Sequence, residues 1–171
     1  MNSIRDDEAG VTLIELIVYV VVLGILMSVI TMIFVNTWSA QAGVTSQTAA
    51  TTRGQLVSSE IEKAMRNAIA FTISPDGTTL SVNTSFTSNR QCQNFALKSD
   101  GLHMSVSSPP APITWPVWQD RVSFLGSTPV FKPAGAMGVT YSFASTSDSG
   151  PVTFTGTAYM RNSTTGNMGG C

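Results

Sequence analysis

A long apolar run dominates the first part of the chain. Residues 16–35 carry no charge and are interrupted only by Tyr19, Gly24, Ser28 and Thr31. As a helix rising about 1.5 Å per residue, this run covers roughly the 30 Å hydrocarbon core of a bilayer. Its many β-branched residues disfavour a helix in water, but in lipid only a helix lets a single segment satisfy its own backbone. The pattern predicts a membrane-spanning helix over residues 11–35.

Beyond the span the helical pattern weakens and then returns. Residues 39–53 are polar, and Gly43 and Gly54 each cost about 1 kcal/mol relative to alanine in a helix, which favours a bent or frayed stretch over residues 43–54. From Gln55 onward, apolar residues recur at spacings of three and four, namely Val57, Ile61, Ala64, Ala68 and Phe71. Glu62 and Arg66, four residues apart, are expected to pair. We predict that the helix continues over residues 36–72.

From residue 73 the hydrophobic period becomes two, which indicates β-strands. Residues 95–106 form one predicted hairpin about the Ser99-Asp100-Gly101 turn, and residues 139–155 form another. A proline-rich loop, Ser107 to Pro116, lies between them and is followed by one expected strand, Arg121 to Leu125. The roughly 100 residues of 73–171 suffice for one modest core. The predicted fold class is α+β, a long N-terminal helix packed on a small antiparallel β-sheet head.

One carboxylate, Glu15, lies at the start of the apolar run. An acid inside hydrocarbon costs roughly 2.5 to 3.5 kcal/mol even on the lenient insertion scale, so it indicates a functional group that needs a partner. Residues 1–10 form a short polar leader that ends in Gly10 and contains one base, Arg5, and three acids. A cut after Gly10 would leave the apolar run on the mature protein, unlike the cut of a secretory signal. Arg5 places this leader in the cytoplasm by the positive-inside rule.

Residues Gly10-Val11-Thr12-Leu13-Ile14-Glu15-Leu16, followed by a long apolar helix, resemble the class III signal of type IV prepilins and pseudopilins. The resemblance implies that a membrane peptidase cuts after Gly10 and methylates the new N-terminus at Val11. It also implies that Glu15 is the glutamate at the fifth position of the mature chain. Most members have phenylalanine where Val11 stands and a basic leader where this one is acidic.

The proposed cut and Glu15 fit together chemically. A free amino group on Val11 has the same desolvation problem as the carboxylate of Glu15, so two subunits staggered by one helical turn can pair the two charges. Such a pair would set the axial register of a filament. Alternatively, Thr12-x-x-Glu15 is a capping box that opens the helix. A capping box explains Glu15 but not the leader that ends in glycine.

The chain has two cysteines, Cys92 and Cys171. Facing an oxidising exterior they are expected to form an internal disulfide, with a bridge between subunits or two free thiols as the alternatives. An internal bridge would hold residues 162–170, which have little apolar content. Pilins that resemble this chain often fix their C-terminal region in this way.

Charge and motifs give little support for catalysis or for nucleic-acid binding. Without the leader the chain has eight bases and seven acids, with the bases scattered singly, so direct nucleic-acid binding is unlikely on composition. His103 is interpreted as an ordinary sheet residue without a nearby acid, and no metal-ligand spacing or phosphate loop is found, which predicts neither a metal nor a cofactor. Trp115 and Trp118 form either an exposed contact patch or a cover over the core. Asn83 and Asn162 begin glycosylation sequons.

These patterns predict a structural subunit rather than an enzyme. We expect a single-pass precursor in the cytoplasmic membrane, with its leader inside, that later joins a surface pilus or pseudopilus. Its partners would be a prepilin peptidase, other pilin subunits and pilus or type II secretion-like assembly machinery. Residues 53–68 resemble minor pilins and pseudopilins of the PilW and GspJ type, which favours a minor subunit. The alternative is an uncleaved, membrane-anchored surface or ligand-binding protein.

Overall fold

The computed structural model describes residues 12–86, 89–108, 114–161 and 171. The chain divides into two compact units, residues 1–42 and 43–171. Its described part contains one helix, α1 (Leu13–Arg66), and nine strands. The strands are β1 (Ala68–Ile73), β2 (Thr79–Phe86), β3 (Asn89–Lys98), β4 (Gly101–Ser107), β5 (Val117–Gln119), β6 (Val122–Ser123), β7 (Phe131–Pro133), β8 (Gly138–Ser145) and β9 (Val152–Tyr159). The α+β class is confirmed.

Helix α1 ends earlier than its apolar period predicts. The backbone is helical through residues 43–54, but the helix stops at Arg66, so its predicted extension to residue 72 is wrong. Asn67 closes the last turn because its Nδ2 donates to the Lys63 carbonyl at 2.8 Å. Residues 68–73 form β1, whose backbone pairs with β2. Cross-strand pairing therefore outweighs the helical spacing at these positions.

The first sheet has five antiparallel strands in the order β1-β2-β3-β4-β5. The predicted hairpin about Ser99-Asp100-Gly101 is confirmed, since β3 and β4 pair from Lys98 opposite Gly101 onward. Gly101 has a φ of 135°, and a Cβ there would lie 2.5 Å from the Gln119 carbonyl oxygen, so both the turn and the packing require glycine. Hydrogen bonds, chiefly from the Ser74 hydroxyl and then from Thr78, hold the pKa of Asp76 below its usual value in the β1–β2 turn.

The second sheet is built on β8, which pairs with β9 over its whole length and with β6 and β7. The predicted hairpin over residues 139–155 is confirmed as β8 and β9. The antiparallel strands of the head are divided between two sheets, where one was expected. The bounds of the strand expected at 121–125 are wrong, since β6 covers only Val122–Ser123. Arg121 takes a positive φ of 53°, which excludes it from the extended backbone at the start of that strand.

One apolar core joins the second half of α1 to both sheets. The helix contributes a face of residues that are fully buried at spacings of three and four, Val57, Ile61 and Ala64 among them, as the sequence predicts. The second sheet contributes Phe143, whose ring stacks 5.4 Å from that of Phe154. Gly54 lies under the Phe154 ring, and a Cβ on residue 54 would be only 2.0 Å from that ring. Close packing against Phe154 accounts for this glycine.

Candidate functional site

Thr12 and Glu15 form the start of α1. The Thr12 hydroxyl accepts a hydrogen bond from the Glu15 backbone N–H at 3.4 Å, which is one half of a capping box. The Glu15 side chain does not complete the box. Its Oε1 instead accepts from the Tyr19 hydroxyl at 3.4 Å, one helical turn further along. Capping therefore explains Thr12, whereas the carboxylate of Glu15 remains available to other groups.

The helix after Glu15 exposes apolar side chains on every side. All residues from Leu13 to Val35 are exposed, and α1 contains a segment long and apolar enough to cross a membrane by length and composition. In water such a surface would be unfavourable at roughly 25 cal/mol per Å² of apolar area. This segment therefore needs lipid or other protein around it. Gly10 and Val11, the residues of the predicted cut, lie outside the described part of the chain.

Cys92 and Cys171 form a disulfide within the chain, with their Cα atoms 5.3 Å apart. Cys92 is fully buried in β3, on the face of the first sheet that also carries the buried side chains of Asn94 and Ser105. The bridge therefore fixes residue 171 against this polar face. Residues 162–170, which the bridge was expected to hold, lie outside the described residues.

The two tryptophans have different surroundings. Trp118 is partly buried and packs against the apolar core, which agrees with the interpretation that it covers the core. Trp115 is half-buried, and its backbone carbonyl accepts from a ring nitrogen of His103 at 2.8 Å. These tryptophans therefore do not present two fully exposed rings as a joint contact patch.

His103 has an acidic neighbour that the sequence reasoning missed. Its Nε2 lies 2.8 Å from Oδ1 of Asp100 and its Nδ1 lies 2.8 Å from the Trp115 carbonyl oxygen, while the side chain is buried. The hydrogen bond from His103 holds the pKa of the Asp100 carboxyl below its usual range. The imidazole thus joins the β3–β4 turn to the residues before β5. The hairpin turn places Asp100 beside His103. The spacing of three residues between them, at a predicted turn, could have indicated this contact.

Two further polar links join the second half of α1 to the second sheet. Arg53 donates to the Ser145 hydroxyl at 3.4 Å and lies 3.9 Å from Asp120. The buried Tyr141 donates to Glu62 at 3.0 Å, and burial, the largest cause, raises the pKa of its hydroxyl. The predicted Glu62–Arg66 pair is confirmed at 3.5 Å. The sequence placed Glu62 and Arg66 correctly but gave no signal for Tyr141, which lies 79 residues away.

The described residues contain no group of three or more His, Cys, Asp or Glu side chains that could hold a metal ion. One groove gathers the bases Lys63, Arg66 and Arg161, although Lys63 and Arg66 already pair with Glu60 and Glu62. Asn83, the first residue of one glycosylation sequon, is fully buried in β2, and its side chain is therefore inaccessible in the folded head. Asn162 lies outside the described residues.

Comparison with known proteins gives one result, at the N-terminus. Residues 5–31 match a family model described as the prokaryotic N-terminal methylation motif. No curated protein and no solved structure matches the chain significantly. The matched motif contains Gly10, Val11 and Glu15 and ends within the apolar part of α1. It indicates type IV pilin-like prepilin processing, and it implies a prepilin peptidase as a partner and a membrane-anchored precursor.

Proposed function

We propose that this chain is a type IV pilin-like structural subunit that is cut after Gly10, methylated on Val11 and assembled into a surface pilus or pseudopilus. The observation that carries the proposal is the methylation motif over residues 5–31. The exposed apolar segment of α1 supports it, because the same surface that suits lipid in the precursor suits packing against other apolar helices in a polymer. Assembly, rather than turnover of a substrate, is the proposed activity.

Glu15 is the assembly residue in this proposal. Cleavage would place a free amine on Val11, four residues before Glu15. Neither charge is stable alone in an apolar environment, and a neighbouring subunit shifted by about one helical turn can supply the missing partner for each. Because breaking such a pair leaves an uncompensated charge, the pair would favour one axial register over others.

We further propose that the subunit is a minor component. The support is the resemblance of residues 53–68 to minor pilins and pseudopilins. Arg53 and Glu62 in this stretch both reach the second sheet, so the stretch stabilises the contact between helix and head. Quantitative mass spectrometry of purified filaments tests this proposal. A minor subunit is expected at well below the amount of the principal one, and a dominant share would contradict the assignment.

The N-terminus of the mature protein decides between processing and a permanent anchor. Mass spectrometry of the protein from its native membrane is expected to find a chain that starts at methylated Val11. A chain that still starts at Met1 would favour the alternative of an uncleaved membrane-anchored protein. A Gly10 substitution that blocks the cut is expected to leave the precursor in the membrane fraction.

Replacement of the acid tests assembly itself. Glu15→Ala is expected to be cut normally but to enter filaments at a strongly reduced, still measurable level, since the amine of the neighbouring subunit then has no counter-ion. Thr31→Ala is the matched control, because it removes a polar side chain from the same segment whose hydroxyl donates only to the Met27 carbonyl. Normal incorporation of Glu15→Ala would overturn the pairing.

A further inference from the structure

The membrane segment contains an internal partner for its own acid. Glu15 and Tyr19 are four residues apart on α1, so their side chains lie on the same face of the helix. The Tyr19 hydroxyl is 3.4 Å from Oε1 of Glu15. This is long for a hydrogen bond between oxygens, but both side chains are flexible enough to shorten it by a rotamer adjustment of a few tenths of an ångström.

The other hydroxyls of this segment are engaged elsewhere. Ser28 donates to the Ile25 carbonyl at 2.7 Å, and Thr31 donates to the Met27 carbonyl at 2.8 Å. Thr12 uses its oxygen as the acceptor of the helix cap. Among the described residues 12–35, Tyr19 is therefore the side chain that donates to the carboxylate of Glu15.

A phenol is well suited to this position. Its ring is compatible with the apolar surroundings, while its O–H is a donor that a carboxylate can accept. A carboxylate has two oxygens with about four acceptor sites in total, so a donor on Oε1 leaves Oε2 open. Tyr19 can therefore orient the carboxylate without competing with a second donor.

We propose that Tyr19 is a positioning residue for Glu15. Its hydroxyl holds Oε1 along the helix axis in the membrane form, and so keeps Oε2 directed outward for the amine of a neighbouring subunit. This inference rests on the proposed assembly role of Glu15. The contact between the two side chains, however, can be tested without any filament.

The first experiment measures the contact directly. The full chain is labelled with ¹³C at the ring ζ-carbon of tyrosine and reconstituted into vesicles of phosphatidylethanolamine and phosphatidylglycerol, where its three tyrosines give three solid-state NMR signals. Glu15→Ala is expected to shift the Tyr19 signal and to leave those of Tyr141 and Tyr159 in place. Glu62→Ala is the matched control, because it should shift Tyr141 and leave Tyr19 unchanged. A Tyr19 signal that is identical with and without Glu15 would overturn the proposal.

The second experiment measures the consequence in cells. Tyr19→Phe keeps the ring and removes only the hydroxyl, and we expect it to lower the ratio of filament-incorporated to membrane-resident subunit by about three-fold or more, the size of an average hydrogen bond inside a membrane protein. The same change in a Glu15→Ala background is expected to have no further effect on the residual incorporation. An equal loss in both backgrounds would show a packing role for the phenol and would overturn the inference.

The two experiments separate the two proposals. If Glu15→Ala assembles normally while the Tyr19 signal still depends on Glu15, the assembly role of Glu15 fails and the side-chain contact remains. If incorporation of Glu15→Ala is strongly reduced while Tyr19→Phe assembles at the wild-type ratio, Glu15 retains its role and Tyr19 has none in positioning it. Thr31→Val, which removes a hydroxyl that bonds only to its own helix, is expected to match wild type in both measurements.

Discussion

The two halves of α1 differ in what surrounds them. From Leu13 to Val35 every side chain is exposed, whereas Val57, Ile61 and Ala64 are completely buried against the head. The first half has apolar residues on all sides, and the second buries apolar residues along one face. A helix that is apolar all round requires an apolar solvent, while an amphipathic one needs a single covered face. The head of the same chain covers the apolar face of the second half of α1. The apolar surface of the first half has no such cover within the described chain.

The head and the first half of α1 each contain a contact between a tyrosine and a glutamate, and the two contacts differ in how the partners are brought together. Tyr141 reaches Glu62 at 3.0 Å across 79 residues of sequence, and Tyr19 reaches Glu15 at 3.4 Å within one helical turn. In the head, tertiary packing brings the partner. In the first half of α1, only local helix geometry is available, so the donor has to come from the same face of the helix. The difference shows that the head supplies the partners of its own polar groups, whereas the apolar segment depends on its surroundings.

The largest difference between the two regions is expected for aromatic truncation. Phe143→Ala removes a ring that is 1% exposed and stacked on Phe154, so we expect a loss of about 3 to 5 kcal/mol in the free energy of unfolding of the head. Phe34→Ala removes a ring that is 61% exposed, and the head should keep its stability. Chemical denaturation in detergent, followed by near-ultraviolet circular dichroism, measures both. Equal effects would contradict the division of α1.

Loss of the disulfide is expected to rank second. Cys171→Ser opens a bridge between residues that are 79 positions apart. The chain-entropy estimate for such a loop is about 4.5 kcal/mol, and measured proteins often show less. The same denaturation experiment should show this loss, and membrane insertion of the apolar segment should be unchanged. Cys92→Ser is the control for the bridge itself. Because either substitution already opens the bridge, the variant with both substitutions should be no less stable than the less stable of the two single variants.

Glycine replacement gives a smaller and closely matched test. In Gly54→Ala the new methyl group would meet the Phe154 ring at 2.0 Å, and overpacking of this kind costs about 1 to 3 kcal/mol. Around Gly24 nothing lies within 4 Å, so Gly24→Ala is expected to leave unfolding of the head unchanged. If Gly54→Ala instead stabilised the head, helix propensity would have outweighed packing, and the close approach of Phe154 would be refuted.

The smallest effect concerns alkaline pH. Burial raises the pKa of Tyr141 above that of an unfolded tyrosine, so the folded state holds its proton more tightly, and the corresponding stability is present below about pH 10 and falls as the pH rises through the folded pKa. Tyr141→Phe should lose about 1 kcal/mol at neutral pH, the value of a typical hydrogen bond, and show a weaker decline above pH 10. Tyr159→Phe, at an exposed position, should leave the stability at neutral pH unchanged.

Local patterns predicted those parts of the fold whose contacts are close in sequence. The apolar run, the face of Val57, Ile61 and Ala64, and the two hairpins all follow from spacings of two to four residues. The prediction of the helix end was wrong because Ala68 and Phe71 continue the helical period in the sequence, although their backbone pairs with β2 in the structure. In the second sheet only the β8–β9 hairpin was predicted, because β6 and β7 are two and three residues long, too short to show a period.

For the candidate site, the sequence by itself determined the acid and the apolar segment, because both depend on residue type and spacing along one helix. Only the tertiary structure decided that Gly54 accommodates Phe154, that Tyr141 reaches Glu62 and that His103 contacts the Trp115 carbonyl oxygen. These contacts join positions that no local period relates. They form when burial of apolar surface draws distant strands onto the helix, and the polar groups carried along must then find partners.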